Sequence, residues 1–82
     1  MDNSSRRERI HNLDVTLWVG KHGIDAVVDE LDDQLSEREF VKVKFHRSAQ
    51  AGTDVETLAE DLADRVDATV VETRGHTAVI ER

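Results

Sequence analysis

The sequence lacks several residue types that build common structural and catalytic sites. It contains no cysteine, no proline and no tyrosine, and it has one tryptophan. Without cysteine the chain forms no disulfide, offers no thiolate nucleophile and holds no metal through sulfur. No apolar run approaches the ~18 residues of a membrane-spanning helix, and the polar start MDNSSRRERI carries no apolar secretion signal. We therefore expect a soluble cytoplasmic protein with no membrane partner.

Features that would indicate an enzyme are also missing. A chain of 82 residues forms one domain and buries only about 60–65% of its unfolded surface, so a deep catalytic cavity is difficult to build. No Ser-His-Asp set or carboxylate pair stands out, and the four histidines match no metal-ligand spacing. We predict a non-catalytic monomer with no cofactor, no metal and no small-molecule substrate.

Lysine is scarce, with three residues against eight arginines, and ten of the 18 acidic residues are aspartates. An acidic surface keeps proteins hydrated in a salt-rich cytoplasm, so this composition favours a salt-loving archaeon. An ordinary acidic protein is the alternative interpretation. Taken alone, the net charge of -7 argues against a nucleic-acid partner, because phosphate repels a negative surface.

The distribution of charge changes that conclusion. Residues 25–37 contain six acids and no base, and residues 54–67 contain six acids and one arginine. The rest of the chain holds ten of the eleven lysines and arginines against six acids. Because both acidic segments have helical apolar spacing, the predicted strands, loops and N-terminal segment are net basic, which leaves room for a local electropositive site.

Apolar spacing predicts the order β-α-β-α-β-β after a short N-terminal helix. The expected strands are residues 15–19, 40–46, 69–73 and 77–81, and the expected helical stripes run over 24–35 and 55–66. Thr53 and Glu56 match a capping box at the start of the second stripe. These elements predict a small two-layer α/β sandwich with a four-stranded mixed sheet. Residues 1–9 are expected to form a flexible basic arm, and residues 10–82 the domain.

The segment Gly20–Gly23, with the sequence GKHG, lies between the first strand and the first acidic helix. Two glycines let a nucleic-acid backbone approach closely, and the free N–H groups of a helix start favour phosphate. Lys21 adds a cation, and His22 adds a donor or a ring. Taken alone the motif is weak, because an ordinary tight turn has the same composition.

The second expected strand carries Lys42, Lys44 and His46 on one face, and Arg47 follows the strand. A solvated strand face is the simpler interpretation of this stripe alone. Two basic elements in one small domain favour a binding surface instead. Trp18, two residues before the GKHG turn, is expected to be a core residue rather than a stacking platform.

In three segments, VGKHGI, DAVVDELDDQLSEREFVKVKF and VVETRGHTAVIER, the chain resembles the CRM domain family (chloroplast RNA splicing and ribosome maturation), particularly its stand-alone YhbY-like form. The resemblance covers about residues 10–82. It implies an α/β sandwich, RNA binding associated with precursors of the large ribosomal subunit, no catalysis and no cofactor. It places the GKHG loop, Lys42, Lys44 and the Gly75–His76 hairpin among the functional positions.

The sequence thus predicts an RNA-binding protein of ribosome biogenesis that acts through its G-x-x-G loop and the adjacent basic strand. The expected RNA-binding residues are Gly20, Lys21, His22, Gly23, Lys42, Lys44, His46, Arg47, Arg74 and His76. The alternative is a protein-interaction module whose acidic helices dock on a basic ribosomal or translation protein.

Overall fold

The computed structural model describes the backbone of residues 3–50 and 52–82, and the side chains of residues 7–50 and 52–82. The elements are α1 (Asn3–His11), β1 (Val15–Val19), α2 (Val28–Glu37), β2 (Phe40–Phe45), α3 (Val55–Asp64), β3 (Thr69–Arg74) and β4 (Thr77–Glu81), with 3₁₀ turns at Ile24–Val27 and Arg47–Gln50. This order confirms the predicted α/β fold class.

The four strands form one mixed sheet in the order β1-β2-β4-β3. β1 runs parallel to β2, whereas β4 pairs antiparallel with both β2 and β3. The parallel pair requires a crossover, which the 3₁₀ turn and α2 supply, while Gly75 (φ 60) allows the tight hairpin between β3 and β4. β1 and β3 are therefore the two edge strands.

One face of the sheet packs against α2 and α3 and forms the main core. Alternate strand residues point to this face because side chains in a strand alternate between its two sides. The largest fully buried side chains include Leu31 of α2, Phe45 of β2, Leu62 of α3 and Ile80 of β4. Because α2 and α3 each bury one face in this core, each helix has an apolar stripe that the sequence spacing could indicate.

The opposite face is covered only in part. There Ile10 of α1 forms a small buried cluster with Phe40 and Val79, against which Leu13 and Val71 pack. The predicted basic arm is helical over residues 3–9, as part of α1. Residues 1 and 2 lie outside the described residues, and the predicted division at residue 9 stays a prediction.

Two local details differ from the sequence-based expectation. The first helical stripe is divided between a 3₁₀ turn at Ile24–Val27 and α2, which starts at Val28. The predicted Thr53 capping box is wrong: Asp54, one residue later, caps α3 by accepting a hydrogen bond from the backbone N–H of Thr57 (2.8 Å). Asp is as good a cap as Thr, so spacing alone did not choose between them.

A register irregularity between Val15 and Leu17 brings Val15 beside Lys42, while Leu17 faces the core. Gln34 of α2 supports this part of β1: its Nε2 donates to the carbonyl of Thr16 (2.9 Å), and the Thr16 hydroxyl donates to Gln34 Oε1 (2.6 Å). Within the described part of the chain, no helix has both the length and the apolar character needed to cross a membrane.

Candidate functional site

Three chain segments meet at one end of the sheet, which we call the loop end: residues 20–23, 44–47 and 74–77. Because β1 and β2 are parallel, both finish there, and the β3–β4 hairpin turns at the same end. Backbone hydrogen bonds join residues 44–47 to the end of β1 and to the hairpin. The N–H of His46 donates to Val19 (2.8 Å), and the N–H of Phe45 donates to His76 (2.7 Å).

The G-x-x-G segment forms a hydrogen-bonded turn, in which the N–H of Gly23 donates to the carbonyl of Gly20 (3.0 Å). Lys21 and His22 occupy its two central positions. Both side chains are exposed and neither forms an ion pair or hydrogen bond with the described residues. Gly23 has φ 77 and ψ -175, a conformation that is essentially restricted to glycine.

The loop does not open directly onto an α-helix. A four-residue 3₁₀ turn, Ile24–Val27, begins directly after Gly23 and separates it from α2, and the contact of its first N–H groups with phosphate stays a prediction. Asp25, in this 3₁₀ turn and two residues after Gly23, forms an ion pair with Arg65.

The basic side chains of the loop end are exposed and unpaired. Lys21, Lys44, Arg47 and Arg74 are exposed, and none of the four forms an ion pair with a described residue. Among the described arginines elsewhere, Arg9, Arg65 and Arg82 pair with Glu39, Asp25 and Asp32, respectively. Arg7 and Arg38 are also unpaired, but Arg38 lies before β2 begins, at the other end of the sheet. Positive charge at the loop end is therefore available to a ligand.

The predicted residues outside this group have more specific surroundings. Lys42 lies on the same sheet face as Lys44 but is half-buried, and its Nζ lies 3.5 Å from the carbonyl of Leu13. It is thus nearer to α1 than to the turn. His46 is exposed at the end of β2.

His76 and Gln50 hold the hairpin against the end of β2. Gln50 Nε2 lies 3.1 Å from the carbonyl of Phe45 and 3.0 Å from Nδ1 of His76. His76 was predicted to be an RNA-binding residue and also has this structural contact. Gln50 was missed, because an isolated glutamine in a loop gives no signal in a single sequence.

The structure corrects the expectation for Trp18. Its neighbours Leu17 and Val19 face the core, whereas Trp18 points to the other face and is 51% exposed. In the sheet register, Trp18 of β1 lies beside Lys44 of β2. Lys44 lies beside Thr77 of β4, and Thr77 lies beside Arg74 of β3. We call this line of four residues the tryptophan row. The short apolar and β-branched run 15–19 suggested a buried strand, but in β1 the face that carries Trp18 is open.

The acidic residues lie mainly on the other layer of the molecule. Exposed carboxylates are distributed along both α2 and α3: Asp29, Glu30, Asp32, Asp33, Glu37, Glu56, Glu60, Asp61 and Asp64. Because these helices cover the core face of the sheet, most of the negative charge is separated from the open face. Two carboxylates lie at the border of the loop end, because Asp54 and Glu56 line a shallow groove together with Arg74 and His76. The N–H of Thr57 lowers the pKa of Asp54, which keeps that carboxyl ionised. Among the residues that the structure describes, no three His, Asp or Glu side chains converge as metal ligands.

The fold and the loop end define a small α/β domain with a glycine-bracketed basic turn beside an open strand face. The chain belongs to the CRS1/YhbY (CRM) domain family, whose model matches residues 2–82. This match confirms the resemblance inferred from the sequence.

Two relatives agree with this assignment. Over 76 residues the chain is 41% identical to the probable RNA-binding protein MJ0652 of Methanocaldococcus jannaschii, covering 93% of this chain but 57% of that protein. The solution structure of SAV1595 from Staphylococcus aureus, described as a candidate RNA-binding protein, superposes with a TM-score of 0.76 at 31% identity. That alignment covers 96% of this chain and 81% of the other.

Proposed function

We propose that this chain is a non-catalytic, cytoplasmic RNA-binding protein that binds ribosomal RNA during large-subunit assembly. The observation that carries the proposal is the convergence of three exposed, unpaired basic segments at the loop end. The description of its relatives as RNA-binding proteins supports the same conclusion. The exposed turn Gly20–Gly23 would contact the phosphate backbone, with Lys44, Arg47 and Arg74 extending the contact.

The separation of charge supports a defined binding orientation. Phosphate is repelled by the carboxylates of α2 and α3 and attracted to the loop end, so the domain would approach RNA with its helical layer facing away. In the salt-rich cytoplasm that the composition favours, counterion release adds little affinity. Hydrogen bonds to the backbone and to 2′-hydroxyl groups, together with shape, would then supply most of the binding energy.

Crosslinking in cells followed by sequencing of the bound RNA tests this function. We expect the RNA crosslinked to the wild-type chain to be enriched in large-subunit ribosomal RNA sequences, and we expect Gly20→Asp to abolish that enrichment. Gly20 is suited to this test because a Cβ at this position meets nothing within 4 Å and its φ is not in the left-handed range. A folded Gly20→Asp variant with an unchanged crosslinking profile would contradict the role of the loop.

The exposed carboxylates of α2 and α3 favour a second candidate function, a module that docks on a basic ribosomal or translation protein. Nuclease treatment separates the two functions. If ribosomal proteins remain bound to the tagged chain after the RNA has been digested, the protein-docking function is favoured. If they are released, their association depended on RNA, as the proposed function requires.

A further inference from the structure

Trp18 is exposed where most tryptophans would be largely covered. It is the only tryptophan of the chain, and it is the only large hydrophobic side chain of the described residues that is exposed. Its indole forms no hydrogen bond with the described residues, and Trp18 is a member of neither buried cluster. Tryptophan is costly to expose because its large apolar area remains in water, so a role outside the core is indicated.

The surroundings of Trp18 are cationic rather than apolar. The neighbour of Trp18 in register is Lys44, and the row continues through Thr77 to Arg74, a span of roughly 14 Å at the usual spacing of strands. No carboxylate lies in this row. Glu72 lies one row away, beside Val79 and near α1, and its Oε1 is 3.1 Å from Nε2 of His11.

This combination is more complementary to a nucleobase than to a protein partner. A protein-docking surface usually centres on a contiguous apolar patch, whereas Trp18 is a single ring with charged and polar neighbours. A nucleotide presents an aromatic face together with a negative phosphate, and both parts find a complement here: the indole for the base, and Lys44 for the phosphate.

We propose that Trp18 is a stacking platform for one unpaired base of the bound RNA, while Lys44 and the Gly20–Gly23 turn contact the adjacent backbone. This inference rests on the proposed RNA-binding function and adds a substrate class to it. Bases in a continuous duplex are stacked on one another and do not offer a free face to a flat sheet. The domain therefore prefers loops, bulges or single strands to continuous duplex, and it tolerates any base at this position because every base has a π-face.

The single tryptophan makes the test direct. Indole fluorescence in this chain comes from Trp18 alone, and no tyrosine contributes. We would titrate the chain with a single-stranded oligoribonucleotide of about ten nucleotides, a length within the range of such sites, and with the same strand annealed to its complement. Stacking predicts that the single strand quenches the fluorescence of Trp18 and that the duplex quenches it little. A parallel titration of free N-acetyltryptophanamide corrects both signals for light absorbed by the added RNA.

Binding to the labelled single strand, measured by anisotropy, provides the affinity. We expect Trp18→Ala to weaken it about 5- to 100-fold, the range found when a stacking aromatic is removed, and Trp18→Phe to retain most of it. Duplex affinity should be the same in all three chains. Because Trp18 lies outside both buried clusters, the alanine variant should keep the far-UV circular dichroism of the wild type.

The possible outcomes distinguish this inference from the function on which it rests. If the wild type binds RNA but its fluorescence is unchanged and Trp18→Ala binds as tightly, the stacking role is wrong and the proposed function stands. If Trp18→Ala changes only the sedimentation of the protein, the ring is a self-association contact and the inference is overturned. If the wild type binds neither these oligoribonucleotides nor ribosomal RNA, both proposals are wrong.

Discussion

At the scale of single residues, the two glycines of the G-x-x-G turn have different structural requirements. Gly23 has a backbone conformation that L-residues rarely adopt, whereas Gly20 does not. Both positions are open in space. Gly23 is therefore required by the shape of the turn, and Gly20 leaves room for whatever approaches it.

This difference predicts opposite effects of alanine on stability. Gly23→Ala should lower the free energy of unfolding by about 1–3 kcal/mol, because it forces a side chain into a strained conformation. Gly20→Ala should be neutral or should raise it by up to about 1 kcal/mol, because it restricts the unfolded chain. Chemical denaturation measures both changes. Equal effects of the two substitutions would contradict the assigned turn geometry.

At the scale of elements, the stability that Asp54 gives to the start of α3 depends on pH. The hydrogen bond from the backbone N–H of Thr57 lowers the pKa of Asp54 below its ordinary value of 3.8. A carboxyl whose pKa is lower in the folded state stabilises the fold above its unfolded pKa. That contribution is lost as pH falls through the folded pKa.

Asp54→Asn is the matched variant, because its amide oxygen can still cap α3 but does not titrate. We expect the melting temperature of the wild type to exceed that of Asp54→Asn above about pH 5, where the charge also favours the helix N-terminus. The difference should shrink as pH falls below about 4. A difference in melting temperature that stays constant between about pH 2 and pH 6 would contradict the capping assignment.

The elements were largely predictable, and the reasons are visible in particular residues. The alternation of Val41, Val43 and Phe45 with lysines gave β2, and the helical spacing of Leu31 and Leu35 gave α2, because one face of each element is buried. The exposure of Trp18 was not predictable, since an apolar run does not reveal which faces of a strand are covered. The division of the first helical stripe at Val28 and the contact between Gln50 and His76 depend on tertiary packing and have no local signature.

At the scale of the whole molecule, the arrangement of charge explains how an acidic chain can present a basic surface. The chain has a net charge of -7, yet the carboxylates of α2 and α3 and the cations of the loop end lie on different parts of the fold. The sequence predicted this separation from the two acidic segments. It could not predict that β1, β2 and the β3–β4 hairpin would bring their basic residues to the same end, because that meeting depends on strand order.

The central claim, that RNA binds at the loop end, is tested most directly by comparing two single-charge variants. Lys44→Gln and Arg38→Gln each remove one exposed, unpaired cation, but Lys44 is at the loop end and Arg38 is at the other end of the sheet. With a fluorescein-labelled RNA stem-loop in an anisotropy titration, we predict that Lys44→Gln weakens binding about 10- to 150-fold, the loss expected for a charge-assisted contact. Arg38→Gln should change it less than about twofold, as expected for a charge outside the interface. Equal weakening by the two variants would contradict the account, because binding would then follow net charge rather than the loop end.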